Sequence, residues 1–428
     1  MGDTETGAVL RGRRLQLAAA VLGMVMIAPL QYTWTLFAEP LSEEQTWSLA
    51  AVQVGFTVFV VFQTFTQPVT GGLIDRFGPR VPYAVGAVLV GAGWSAMGLV
   101  DTLPLLYVAY AAAGVGAGVV YAGSIGTALR WYPDRRGLAV GLVTAGFGAG
   151  AAPFIPALDA LVTAHGTTAG FVISGVVMGV GVLACAAVLR HPPAAVSPAA
   201  GPPALDAPPP DPPPAAAGRD ARRAQYSPGQ MVRTGRFWLI FVMYFFMATG
   251  GLLVTANLKP FATSLGVAAG VVVTALALAQ IPNGLSRIVW GWVSDRFGRL
   301  PTMAVAFAAN GVLLALLPVV GDVPAGLILL TALVMFTWGE AFALIPAVTA
   351  DTFGTDHAAA NQGVMYTAKG VGGLFGGALA AWLAATFGWT AVFLTAAAMA
   401  LAAAGGALVL MRAGRRAATT GQGGGAAS

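Results

Sequence analysis

Gly71-Gly-Leu-Ile-Asp75-Arg76-Phe77-Gly78-Pro-Arg80 recurs 220 residues further on as Gly291-Trp-Val-Ser-Asp295-Arg296-Phe297-Gly298-Arg299. One copy could be chance, but two at a constant offset make the chain an internal duplication. Each copy follows the second long apolar stretch of its half. The glycines allow a tight turn, and the Asp can accept hydrogen bonds from helix N-terminal amides or pair with Arg. Gly71, Asp75, Arg76, Gly78 and Arg80, with Gly291, Asp295, Arg296 and Gly298, are therefore expected to latch helices together rather than to hold a ligand.

Around these loops the chain is apolar. Stretches of about 20 such residues suffice to cross the hydrocarbon of a bilayer. Twelve occur, at roughly 15–38, 49–74, 81–100, 104–129, 138–162 and 168–189, then 237–259, 267–293, 302–320, 324–349, 358–386 and 389–411. Backbone polar groups in lipid must find internal partners, so the stretches are helices. The expected fold is an all-α membrane protein of twelve transmembrane helices in two pseudo-symmetric halves, 15–189 and 237–411. Residues 1–14 and 412–428 are tails. Residues 190–236 form a linker, and 12 of the 27 prolines fall in 192–228. Such a segment cannot build a core and reads as a flexible connection. No signal peptide is evident, because the first span is long and runs on into others.

Composition agrees. Residues of the apolar set make up 57% and charged residues only 9%, against about 25% in soluble domains. Disorder, a coiled coil and an ordinary soluble enzyme are excluded. The single Cys185 permits no internal disulfide, and three scattered histidines offer no metal site, so neither metal nor cofactor is expected. Of 22 Lys plus Arg, 19 fall in the tails, the central linker and the loops that share one side of the membrane. That is the positive-inside pattern. It places both termini in the cytoplasm and accounts for the net charge of +5 without a nucleic-acid partner. An inner-membrane monomer is expected, with the lipid bilayer as its surroundings. Glycine rows, among them Gly141, Gly146, Gly148 and Gly150, favour close helix packing.

Three cations remain. Lys259 is near a span end and can snorkel. Arg287 and Lys369 lie well inside the hydrocarbon. A cation at a helix centre costs about 2.5–3.5 kcal/mol on insertion scales, so both are functional candidates. Glu340, the one acid deep in a span, is the available counter-ion or proton carrier, and it cannot neutralise both. The duplication sharpens the contrast: Arg287 corresponds to Gln67, and Lys369 to Gly146. The first half supplies neutral donors and rings instead: Gln31, Tyr32, Gln53, Gln63 and Tyr121. Trp338 and Tyr366 add to these from the second half. Two positive charges with a rim of donors and rings suit a small anion.

The paired loops resemble the signature of the major facilitator superfamily, whose halves rock about a midplane site. Several further stretches resemble the bacterial oxalate:formate antiporters. They are Gln31-Tyr-Thr-Trp-Thr-Leu-Phe37, Ser48-Leu-Ala-Ala-Val-Gln53, Phe77-Gly-Pro-Arg-Val-Pro82, Arg130-Trp-Tyr-Pro-Asp-Arg-Arg-Gly137, Val254-Thr-Ala-Asn-Leu258, Trp338-Gly-Glu340 and Tyr366-Thr-Ala-Lys369-Gly370. The likeness spans all twelve stretches and fails at the tails and the linker. It implies that Arg287 and Lys369 hold substrate carboxylates and that Gln31, Tyr32, Gln53, Gln63, Tyr121 and Trp338 belong to the same site. Phe147 and Phe342 stand where that family has hydroxyl-bearing aromatics, and Tyr366 where it has a larger ring. The resemblance thus implies exchange of small carboxylate anions by alternating access. The rival expectations are a proton-coupled monocarboxylate symporter using Glu340 and, from another class, a transporter-like sensor or scaffold. No nucleophile–base pair supports an enzyme.

Overall fold

The computed structural model describes residues 3–132, 136–192, 225–354 and 357–423. Most of the Pro-rich linker, 193–224, lies outside the described residues. Among those described, the chain is helical and holds no strand. The first half begins with α1 (Asp3–Tyr32) and α2 (Trp34–Glu44), parted at Thr33, whose hydroxyl returns to Pro29 O at 2.7 Å. There follow α3 (Leu49–Phe77), α4 (Arg80–Ala96), α5 (Leu103–Trp131), α6 (Arg136–Ala149) and α7 (Phe154–Val188). The second half has the short α8 (Pro228–Met231), then α9 (Gly235–Ser264), α10 (Ala269–Phe297), α11 (Arg299–Val320), α12 (Pro324–Trp338) and α13 (Ala341–Phe353). It ends with α14 (Ala358–Leu374), a π-turn (Phe375–Leu379) and α15 (Ala380–Gly423).

Nine segments of the described residues are long and apolar enough to cross a membrane. Two of these, Leu138–Val188 and Ala360–Ala413, run to 51 and 54 residues, far beyond one crossing. Each contains a glycine at positive φ, Gly166 (φ 81°) and Gly388 (φ 80°), where a kink separates two helices. The twelve crossings expected from the sequence require these two to be split there and the 17-residue α4 to cross as well. The stretch 138–162, expected as one helix, is interrupted between Ala149 and Phe154, where Pro153 lacks the amide a continuous helix would use.

Burial departs from that of a water-soluble fold in what the packed apolar interior also encloses and in what the outside shows. Gln31, Gln53, Gln63, Asn257, Gln280, Asn283, Arg287, Asn310, Glu340 and Lys369 are buried, while Val69, Val108, Val180, Val305 and Leu329 are more than half exposed. An apolar exterior, with polar side chains enclosed among packed apolar ones, is what lipid as solvent selects.

The duplication is visible in the packing. In the first half α3 packs on α5, and α4 on α5 and α7; in the second α10 packs on α12, and α11 on α12 and α15. The halves meet along two equivalent seams, α3 with α14 and α10 with α6, and α2 meets α9 at one end. The α6–α10 seam brings backbones together: a Cβ on Gly284 would lie 2.7 Å from Ala149 Cβ, and one on Gly148 would lie 2.9 Å from Gly284 Cα. At the α3–α14 seam the π-turn leaves carbonyls without helical partners. Thr57 of α3 donates to Gly373 O at 3.0 Å and accepts from Ala378 N at 3.3 Å, and Asn257 of α9 donates to Gly376 O at 2.8 Å.

The repeated loops have matching backbones. Both second helices end on a left-handed glycine, Gly78 (φ 73°) and Gly298 (φ 90°). Each loop then ties its own half together. Arg80 donates to Leu189 O at 2.9 Å and Ala187 O at 3.0 Å, satisfying carbonyls at the end of α7. Arg299 pairs with Asp351 of α13 at 2.6 Å. Asp295 and Arg296 are exposed. The side chains of Asp75 and Arg76, and the surroundings of Gly71, lie outside the described residues.

Replacing Gly284 by Leu should overpack the α6–α10 seam, at a cost of about 1–3 kcal/mol. Expected is a lower melting temperature in detergent and loss of transport. Unchanged melting and transport would show that the two helices are free to separate there.

Candidate functional site

Lys369 projects from the middle of α14 and is 1% exposed. Its ammonium donates to Gln31 Oε1 at 2.9 Å and Gln63 Oε1 at 2.8 Å. Both amides come from the first half, so a cation of one half is held by neutral groups of the other. Three rings surround it, Phe147, Tyr366 and Phe342, with centroids 5.6, 5.7 and 5.9 Å from Nζ. Arg287, on α10, is 5% exposed. It donates from Nη1 to Thr144 O of α6 at 2.6 Å, and its guanidinium stands 5.2 Å from the centre of the Phe342 ring. Phe342 is therefore the ring shared by both charges.

The rings form a continuous wall. Tyr32 and Tyr121 meet Phe147 at 5.4 and 5.3 Å, and Tyr121 meets Tyr366 at 5.8 Å. Tyr244 meets Tyr366 at 6.1 Å and Phe342 at 5.9 Å, and Trp338 closes the series on Phe342 at 4.9 Å. Tyr32, Tyr121 and Phe147 come from the first half, and Tyr244, Trp338, Phe342 and Tyr366 from the second. Trp338 and Phe342 are four residues apart, so they share one side of the α12–α13 rod.

The structure thus gathers Arg287, Lys369, Gln31, Tyr32, Gln63, Tyr121, Trp338 and Tyr366 around one centre. Gln53 is engaged elsewhere: it accepts from Trp34 Nε1 and donates to Ala256 O, each at 2.8 Å, and so ties α3 to α9. Gln67 donates to Gln63 O at 3.3 Å, one turn away. Lys259 reaches Leu36 O at 3.4 Å rather than open water. Glu340 is fully buried, yet neither oxygen meets a hydrogen-bond donor, and neither cation is bridged to it. The sequence reasoning missed Tyr244 and the Thr144 carbonyl. Tyr244 sits in the uniformly apolar run Met243-Tyr-Phe-Phe-Met247, which marks no face, and a backbone carbonyl carries no signal in a sequence.

The chemistry of the centre is one-sided. Gln31 Nε2, Gln63 Nε2, Arg287 Nε and Trp338 Nε1 are buried donors without acceptors. Each such group costs about 1–3 kcal/mol if left unmet. With two cations beside them, the centre is suited to an acceptor carrying negative charge. A metal ion has no ligand set here: among the described residues no group of three His, Cys, Asp or Glu comes together.

The Major Facilitator Superfamily model matches residues 19–281 and 240–427. The chain is 39% identical over 410 residues to the oxalate:formate antiporter of Oxalobacter formigenes, covering 93% of this chain and 92% of that one. It is 26% identical over 350 residues to monocarboxylate transporter 13 of Bos taurus, covering 81% and 77%. Among solved structures, the nucleoside transporter NupG superposes with a TM-score of 0.68 at 14% identity, over 92% of this chain and 99% of that one. A bacterial homologue of the lysosomal transporter Spinster follows at 0.67, also at 14%, over 94% and 97%.

Gln31 provides a discriminating test of the one-sided centre. Gln31→Leu removes an acceptor for Lys369 and a free donor, and should weaken anion binding by roughly ten- to a hundredfold. Gln31→Glu places a carboxylate against Lys369 and should be worse, because it satisfies the cation internally. Equilibrium binding of labelled oxalate to purified protein ranks the two. Tighter binding by the Glu variant would contradict an anion site.

Proposed function

The chain belongs to the Major Facilitator Superfamily, and on that footing we propose that it exchanges small carboxylate anions across the membrane by alternating access, an oxalate/formate kind of antiport. It is a multi-pass membrane transporter and not an enzyme. The observation that carries the carboxylate reading is the pairing of buried Arg287 and Lys369 with unmet donors and no counter-acid. Arg287 offers a planar fork to one carboxylate, and Lys369 a point charge with one N–H free beyond its two amide bonds. The rings bury the site, so these charges are screened less than they would be in water. The name of the 39% identical relative points the same way.

The distribution of basic residues supports an inner-membrane orientation with both termini cytoplasmic. In that orientation the α2–α9 seam faces outward. There Lys259 N donates to Thr35 Oγ1 at 3.0 Å and Thr263 Oγ1 to Glu39 Oε2 at 3.3 Å, bonds that an outward-open state must break. Exchange of a dianion for a monoanion moves one charge, worth about 2.3 kcal/mol per 100 mV. The repeated loops, with Asp75 and Asp295, serve in this reading as latches that bias the rocking of the halves. Proton-coupled monocarboxylate symport is the second reading, favoured by one observation, the buried and unpaired Glu340.

Arg287→Ala and Lys369→Ala should each insert normally and lose exchange, a charge-assisted bond being worth about 1.5–3 kcal/mol, one to two decades of affinity. A dianion should suffer more than a monoanion. Uptake by proteoliposomes preloaded with oxalate, formate or lactate measures this. Wild-type exchange by both alanine variants would end the paired-cation reading. Uptake driven by a pH gradient and indifferent to internal anion would replace antiport by symport.

A further inference from the structure

Glu340 is left over by the anion site, and its surroundings differ from those of the cations. Trp338 and Phe342 turn their rings to the anion site. Glu340, two residues from each, points about 200° away along the same rod. Its flanking residues say what it points at. Thr337, one turn before it, accepts from Asn310 Nδ2 of α11 at 2.9 Å. Gly339 lies so close to α10 that an added Cβ would stand 2.7 Å from Asn283 O. Glu340 therefore enters the crevice between α10 and α11, at the break that separates α12 from α13.

Nothing there receives a negative charge. Both carboxylate oxygens lack donors, and Asn283 Oδ1 and Asn310 Oδ1, on the two neighbouring helices, are unmet acceptors as well. The titratable groups on the elements packed against α13 are turned elsewhere. On α9, Arg236 is exposed, Tyr244 is in the ring wall and Lys259 reaches Leu36 O. On α10, Arg287 bonds Thr144 O, while Asp295 and Arg296 are exposed. On α11, Arg299 pairs with Asp351, and on α14, Tyr366 and Lys369 belong to the anion site. An ionised carboxylate in such a crevice costs several kcal/mol, whereas a protonated one is neutral and brings its own donor to a place with surplus acceptors.

We propose that Glu340 is a proton-binding site of the transporter, separate from the anion site. It holds a proton in the packed state described here and exchanges it with water when α10 and α11 shift against the α12–α13 break. The proton adds to one carboxylate oxygen on loading and leaves to water on discharge. Carried alongside a monocarboxylate, it makes net movement electroneutral and provides a transport mode that needs no counter-anion. This rests on the transporter reading, but not on which anion is carried.

Two measurements test it. In infrared spectra of the purified protein, the C=O stretch of a protonated carboxylic acid should be present in the wild type and absent from Glu340→Gln. It should fade and return reversibly as pH is raised and lowered in the presence of oxalate. In proteoliposomes at equal pH inside and out and without internal anion, the wild-type formate uptake rate should change by up to about tenfold per pH unit across the range in which Glu340 titrates. That of Glu340→Gln should be flat and accompanied by no proton movement on an internal dye. A band that never responds to pH, or equal pH profiles for wild type and variant, overturns the proposal. If wild type exchanges no oxalate, the anion reading fails, and the infrared titration still decides the fate of Glu340. The same titration decides it if the variant does not fold.

Discussion

Two positive charges stand in a medium that does not solvate them, and much of the interior is arranged around that. Lys369 cannot reach water, so two amides of the opposite half supply oxygens to it. Arg287 takes a backbone carbonyl across the same divide. The halves are thus held together in part by the solvation of cations. In the proposed exchange, an anion entering the site would compete for the same hydrogens. Ligand binding and domain contact would then be coupled, because each draws on the same few N–H groups.

The duplication explains why this arrangement is lopsided. Equivalent helices pack in equivalent ways, and the left-handed glycines Gly78 and Gly298 close equivalent loops. The site breaks the symmetry: both cations sit in the second half, and the first half answers with Gln31, Gln63, Tyr32 and Tyr121. Copies of one scaffold have divided the work: one carries the charges, the other the amide oxygens that meet Lys369, and both contribute rings. A doubled charge in both halves would have left four cations with no added acids to offset them.

Much of this was legible in the chain. The repeated loop and the spacing of apolar stretches announced an all-helical membrane fold, because lipid imposes length and polarity on every crossing. Arg287 and Lys369 were conspicuous for the same reason: charge is rare in such stretches. What stayed hidden was direction. Gln53 and Gln63 look alike in a sequence, yet one points at Trp34 and the other at Lys369. Glu340 read as the natural partner of the cations, but two residues of helical rotation turn it away from them. Tyr244 was lost among apolar neighbours, since a ring wall needs only proximity and no spacing rule. The break between Ala149 and Phe154 was likewise missed, because hydropathy does not register where a helix loses its amides.

The π-turn at Phe375–Leu379 has a mechanical consequence. An unbroken helix is a stiff rod, so a twist at one end is felt at the other. A wider turn beginning six residues beyond Lys369, with its freed carbonyls tied to Thr57 and Asn257, interrupts that transmission. The segment bearing the lysine and the segment beyond the turn are joined by a softer link than a continuous α-helix, and the bond from Thr57 to Gly373 O holds that joint against α3. In the proposed exchange, an anion pulling on the ammonium would load α14, about five turns of helix, before it loads the rest of the bundle.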